Sequence, residues 1–135
     1  MRLAAYFGPV MRSRGADGHH GATAWLNILS AYAWINNPLL GTYSASQAAA
    51  LSLSQCLRTE LADGGVRVVN TFIGPIEDEW YQLAPPPKLV PATVAKRIVE
   101  SLQRGLEDIP IGAVAEEIIQ RLAENPKEIE RTIKL

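Results

Sequence analysis

The chain has 135 residues and a formal net charge of −1, from 13 basic and 14 acidic side chains, with 47% hydrophobic and 20% charged residues. That is the size and balance of one folded domain, with enough apolar surface to offset the entropy of ordering, so intrinsic disorder is excluded. The even charge leaves no basic excess for a phosphate backbone, and no apolar run reaches the roughly 18 residues of a membrane span, which argues against nucleic-acid and membrane modules.

Leu3, Phe7, Val10 and Met11 fall at helical spacing and predict the end of an amphipathic helix. A signal peptide fits worse, because Tyr6 and Pro9 interrupt the stretch and no small-residue cleavage site follows. Arg12 to Gly21 is polar and glycine-rich, which predicts a loop. Ala22 to Leu29 reads as a buried strand, and Asn36-Asn37-Pro38 with Gly41 as the loop after it. Tyr43 to Ala62 is rich in alanine and leucine and predicts a long helix closed by Asp63-Gly64-Gly65. It carries one stripe of Ala50, Leu53, Leu57 and Leu61 and a second of Ala45, Ala48, Ala49, Ser52 and Cys56. Two such faces predict that the helix contacts both the core and something else.

Val66 to Ile73 is dense in β-branched residues, as a buried parallel strand is, and Gly74-Pro75 ends it. Past Pro85-Pro86-Pro87, a helix opens at Pro91 and closes at Gly105, with Val94, Ile98 and Leu102 on one stripe. Ile109 to Ile111 predicts a short strand. Val114, Ile118, Ile119 and Leu122 predict a last helix that stops near Asn125-Pro126. Alternating strands and helices of this kind predict a single α/β domain with a parallel sheet.

The stretch that carries chemistry runs from Leu26 to Gly74. Ser30 sits at a strand end, Tyr43 opens the alanine-rich helix thirteen residues later, and Gln47 lies one helical turn beyond it. Gly65-Val66-Arg67-Val68-Val69-Asn70 then leads to Gly74-Pro75-Ile76. In this order and spacing the sequence resembles the second half of a short-chain dehydrogenase/reductase. That family places a catalytic serine thirteen residues before a Tyr-x-x-x-Lys motif, followed by a Gly-(Ile/Val)-Arg-Val-Asn strand and a Pro-Gly turn beside the nicotinamide. Pro91-Ala92-Thr93-Val94-Ala95 and Ile111-Gly112 extend the resemblance over nearly the whole chain.

The resemblance implies the second half of a Rossmann-like doubly wound parallel sheet. It further implies a cytoplasmic oxidoreductase that interconverts a carbonyl and an alcohol with NAD or NADP. Its substrate would be a small, apolar molecule. Tyr43 would be the general acid/base and Ser30 the donor to the developing oxyanion. Gln47 would be a weakened ribose ligand, and Gly74, Pro75 and Ile76 would lie against the cofactor. A tyrosine hydroxyl, ordinarily near pKa 10, needs help to work at neutral pH, and a lysine one turn on supplies a nearby positive charge. A serine hydroxyl stabilises the oxyanion directly.

Three departures stand against this. Gln47 brings no charge, and without it the expected rate falls by roughly ten- to a thousand-fold. Gly74-Pro75 reverses the family's order, with Glu77-Asp78-Glu79 downstream. Nothing in the sequence resembles the glycine-rich turn that seats a pyrophosphate on a helix N-terminus. The family's domain runs to about 250 residues, so this chain reads as half of one and is expected to need its missing half, or a second copy, against its open sheet edge. A non-catalytic subunit that forms oligomers through the Tyr43–Ala62 helix is the alternative reading.

Other candidates have plainer explanations. His19-His20 lacks a third metal ligand nearby and reads as solvated, and Cys56, the sole cysteine, reads as a buried inert thiol suited to a reducing compartment. Trp34, Ile35, Leu39, Leu40, Trp80 and Tyr81 are candidates for an apolar substrate pocket, with core packing an equal account of them.

Overall fold

In a computed structural model that describes residues 2–18, 23–77 and 88–132, eight regular elements follow one another. They are α1 (Arg2–Ala16), β1 (Thr23–Ser30), α2 (Gly41–Ala62), β2 (Val66–Ile73), α3 (Pro91–Gln103), β3 (Asp108–Ile111), α4 (Ala113–Glu124) and α5 (Pro126–Thr132), with short 3₁₀ turns at Ala31–Ala33 and Pro38–Leu40. The strands form one parallel sheet in the order β1-β2-β3. This is the α/β arrangement expected of part of a Rossmann-like fold.

The middle strand explains its own composition. β2 is buried along nearly its whole length because helices cover both of its faces, and a strand in that position selects a continuous β-branched run. On one face, Leu61 of α2 meets Val66 and Val68, with Met11, Trp25 and Leu57 packed around them. On the other, Val94 and Ile98 of α3 meet Val69, Ile109 and Ile111. Beyond the carboxyl ends of the strands, Ala115, Ile118 and Ile129 of α4 and α5 close on Ala31 and Ile35. Trp34 stacks on the fully buried Phe72 at a ring-centroid distance of 3.7 Å. Each such side chain contributes about 1.5–3 kcal/mol through the apolar surface it removes from water.

One close approach fixes α1 against this layer. Gly15 lies so near the turn after α2 that a side-chain carbon there would stand 1.9 Å from the Gly64 carbonyl oxygen. Gly65 then reverses the chain at φ +67°, a conformation that other residues reach at a cost. This contact also explains why the N-terminal helix runs to Ala16, where the composition of Arg12 to Gly21 predicts a loop. Arg12 to Ala16 are held in the last turn by packing on the Gly64 turn, which local composition does not encode.

Other expectations change as well. Leu3, Phe7 and Val10 face outward, and the buried residue of α1 is Gly8. Among the described residues β1 lies at the edge of the sheet and is only partly buried. Its Ala24, Leu26 and Ile28 lie on the α3 side, and since α3 covers only the far part of that face, Ile28 remains 59% exposed. Cys56 is exposed, because the small-residue stripe of α2 points away from the sheet. A further helix, α5, follows Pro126, which opens it instead of only ending α4. His19, His20, Asp78, Glu79, Trp80, Tyr81 and the Pro85–Pro87 run lie outside the described residues.

Candidate active site

The site forms where β1 and β2 end beside the start of α2. Ser30, the last residue of β1, caps the following 3₁₀ turn. Its φ of −81° and ψ of 150° are extended, and its Oγ accepts a hydrogen bond from the Tyr32 backbone N–H at 3.2 Å. That bond occupies a lone pair and leaves the Ser30 hydroxyl proton free to be donated elsewhere.

The N-terminus of α2 has no side-chain cap of its own. Two polar residues anchor it instead. The fully buried Ser44 accepts a hydrogen bond at its Oγ from the Asn37 N–H at 3.2 Å. The Asn37 Oδ1 accepts one from the Leu39 N–H at 2.9 Å. The first turn is thereby fixed to the loop around Asn37, and Tyr43 with it. Tyr43 is half-buried and meets Tyr32 edge-to-face, with centroids 6.4 Å apart. One turn further on, the Gln47 Oε1 accepts the Ser30 backbone N–H at 2.9 Å. Neither the Tyr43 hydroxyl nor the Gln47 Nε2 has a hydrogen-bond partner among the described residues.

From the other strand come Gly74, Pro75 and Ile76. A short parallel bridge pins this turn to Leu89, with the Leu89 N–H donating to the Pro75 carbonyl at 2.9 Å and the Glu77 N–H to the Leu89 carbonyl at 2.8 Å. Ser30, Tyr43, Gln47, Gly74, Pro75 and Ile76 thus line one cavity of about 130 Å³, together with Ile28, Leu29, Tyr32 and Ile73. All six residues singled out in the sequence are brought together there. Of the candidates for an apolar lining, the four that are described do not line it. Ile35 is core, Trp34 packs on Phe72, and Leu39 and Leu40 are exposed away from the cavity, because the 3₁₀ turn at Pro38–Leu40 directs them to the surface.

A second polar cluster lies deeper along the same strands and went unread in the sequence. Asn27, Asn70 and Asp108 stand opposite one another across the three strands. The Asn27 Nδ2 donates to Asn70 Oδ1 and to Ser54 Oγ of α2, each at 3.0 Å. The Ser54 hydroxyl donates to Asn70 Oδ1. The Asn70 Nδ2 donates to Asp108 at 3.0 Å, and Arg58 of α2 grips that carboxylate through both terminal nitrogens, at 2.7 and 3.2 Å. Burial pushes the Asp108 carboxyl upward, but the hydrogen bonds from Arg58 and Asn70 and the guanidinium charge outweigh it and hold it below its ordinary value. Asparagines inside apolar strands are a sequence signal for such a cluster. Ser54 and Arg58 on the helix give none.

No protein-family model matches the sequence, and no curated protein does. Solved structures do. A short-chain dehydrogenase from Burkholderia cenocepacia, solved with NADP, matches with a TM-score of 0.86 and 31% identity, over 98% of this chain and 54% of that one. A short-chain dehydrogenase from Streptomyces avermitilis matches with a TM-score of 0.76 and 22% identity, over 96% and 55% of the two chains. One from Sphingobium yanoikuyae, solved with NADPH, matches with a TM-score of 0.69 and 21% identity, over 99% and 52%. The chain spans about half the length of the solved structures it matches.

Proposed function

The chain corresponds to the C-terminal half of a short-chain dehydrogenase/reductase, and on that premise we propose that it carries the acid–base end of a nicotinamide-dependent carbonyl/alcohol oxidoreductase. The observation that carries this reading is the convergence of Ser30, Tyr43 and Gln47 with the Gly74–Ile76 turn on one cavity.

The donor set fits the nicotinamide end of the cofactor. Gln47 Nε2 offers two amide donors to ribose hydroxyls, and Ile73, Pro75 and Ile76 offer an apolar wall. The cavity's 130 Å³ is well under the roughly 300–1,000 Å³ of a complete small-molecule site, so further walls have to come from outside the described residues. When bound, the cofactor supplies or takes up the hydride. In the direction of reduction, the Tyr43 hydroxyl gives its proton to the substrate oxygen; in oxidation it takes that proton back. The Ser30 hydroxyl, its lone pair already held by Tyr32, donates to the same oxygen. The substrate is a small carbonyl or alcohol compound with an apolar body that rests on Ile28 and Tyr32.

Calorimetry with NADP(H) and NAD(H), followed by turnover with an aromatic ketone, tests the reading. Binding of either nucleotide together with turnover that Tyr43→Phe abolishes is the expected result. Absence of nucleotide binding by the chain and by its natural assembly would overturn it.

A second reading has an observation of its own. An apolar groove of about 480 Å³ runs between α1 and α2, lined by Ala4, Ala5, Gly8, Leu53, Leu57 and Cys56 among others. Tyr6, Phe7 and Val10 of α1 are exposed as well. This favours a subunit that associates through the Tyr43–Ala62 helix, with or without redox chemistry. Light scattering decides it: an oligomer that Leu53→Glu dissociates is expected, and a well-folded monomer would refute it.

A further inference from the structure

The hydrogen bond between Gln47 and Ser30 gives the glutamine a part that a lost lysine does not describe. A backbone N–H can only donate, so the amide oxygen of Gln47 must face Ser30, at 2.9 Å, and its NH₂ must face the cavity. Lysine has three donors and no acceptor, so a Tyr-x-x-x-Lys motif cannot make this contact. Tyr43 and Gln47 are four residues apart and share a helix face. Fixing Gln47 to Ser30 therefore also fixes the backbone of Tyr43 relative to that of Ser30, the two residues whose hydroxyls must meet on one substrate oxygen.

We infer that Gln47 is a positioning residue, whose side-chain oxygen ties the end of β1 to α2 and holds Ser30 and Tyr43 in a common geometry. The inference rests on the redox reading of the cavity. Ser30 is then held at two points, by Gln47 at its backbone N–H and by Tyr32 at its Oγ. Held in this way, Ser30 lines the cavity with its hydroxyl proton uncommitted, which is the preorganisation that an oxyanion donor requires.

Two substitutions separate the acceptor from everything else Gln47 does. Gln47→Glu removes the cavity-facing amide and keeps an acceptor oxygen, while Gln47→Met keeps the length and removes both. Amide hydrogen exchange read by NMR reports the tether without any activity. The Ser30 amide is expected to exchange about tenfold faster in Gln47→Met and within about threefold of the parent rate in Gln47→Glu, the scale of one hydrogen bond. With NADPH and acetophenone, kcat should fall about tenfold further in Gln47→Met than in Gln47→Glu, with KM for NADPH alike in the two. Equal Ser30 protection in both variants would overturn the tether, and equal kcat would overturn its positioning role. A parent protein that neither binds NADPH nor turns over sinks the redox reading alone, and the exchange measurement still decides the tether.

Discussion

Two stretches of α2 face the same sheet and end in opposite states. Midway along the helix, Ser54 and Arg58 close on Asn27, Asn70 and Asp108, and no buried side-chain polar atom is left without a partner among the described residues. At its start, Tyr43 and Gln47 reach the ends of β1 and β2 and leave a phenol hydroxyl and an amide NH₂ free among the described residues. Asn70 and Ser54 of the first cluster sit where helices cover both faces of β2, so either of them left unpaired would cost its full desolvation. The second lies past the strand ends, where ligands of open α/β sheets bind, and spare hydrogen-bonding capacity costs little because water can use it. A satisfied polar group holds the fold; an unsatisfied one at the rim is available for chemistry.

The largest separation of the two regions should come from Tyr43→Phe. If the cavity is the acid–base site, removing one hydroxyl lowers kcat by about 10²–10⁴-fold. Because that hydroxyl bonds nothing described in the fold, urea stability should stay within about 0.5 kcal/mol of the parent. A loss of stability as large as the loss of rate would erase the contrast. Asn70→Leu should do the reverse. It removes one of the two acceptors of the Asn27 amide, the acceptor of the Ser54 hydroxyl and one donor to Asp108, and at about 1–3 kcal/mol for a buried group that loses its partner an overall loss of about 3 kcal/mol is expected in a urea titration. If Asn70→Leu proved neutral, the cluster would be ornament rather than a fastening.

How much of this was legible in the sequence follows from the range of each interaction. The β-branched run Val66–Ile73 and the alanine-rich helix read correctly because local composition and burial agree there. The family resemblance, not composition, marked Ser30, Tyr43 and Gln47, and they meet in one cavity because they come from adjoining elements of one βαβ unit. The helical state of Arg12–Ala16 was hidden, because it depends on two glycines in contact across about fifty residues of chain. Cys56 misled because small residues at helical spacing describe a flat face equally well whether it meets the sheet or solvent. Arg58, a long charged side chain on a helix, gave no hint that it clamps Asp108 fifty positions away. Leu26 and Ile28 read as interior because their composition is that of a covered strand, and their exposure reflects what packs on β1, which is a property of the surroundings.

The smallest effect expected is a pH dependence confined to the closed cluster. Asp108 has a folded-state value below its unfolded 3.8, and a depressed carboxyl stabilises the fold at pH above the unfolded value. As pH falls below about 4, the unfolded chain takes up a proton first, and the contribution fades as the folded carboxyl follows. The side chain is 49% exposed, so solvent screens the pair and the effect should stay under about 1 kcal/mol in spite of the two-pronged grip. In a double-mutant cycle with Arg58→Met and Asp108→Asn, the coupling should be measurable near neutral pH and shrink as the folded Asp108 carboxyl takes up its proton in acid. The Ser30–Gln47 contact joins a backbone N–H to an amide and involves no titrating group. Protection of the Ser30 amide, corrected for intrinsic exchange, should therefore hold steady across the same interval, so that acid loosens the middle of α2 while its start stays fixed to β1.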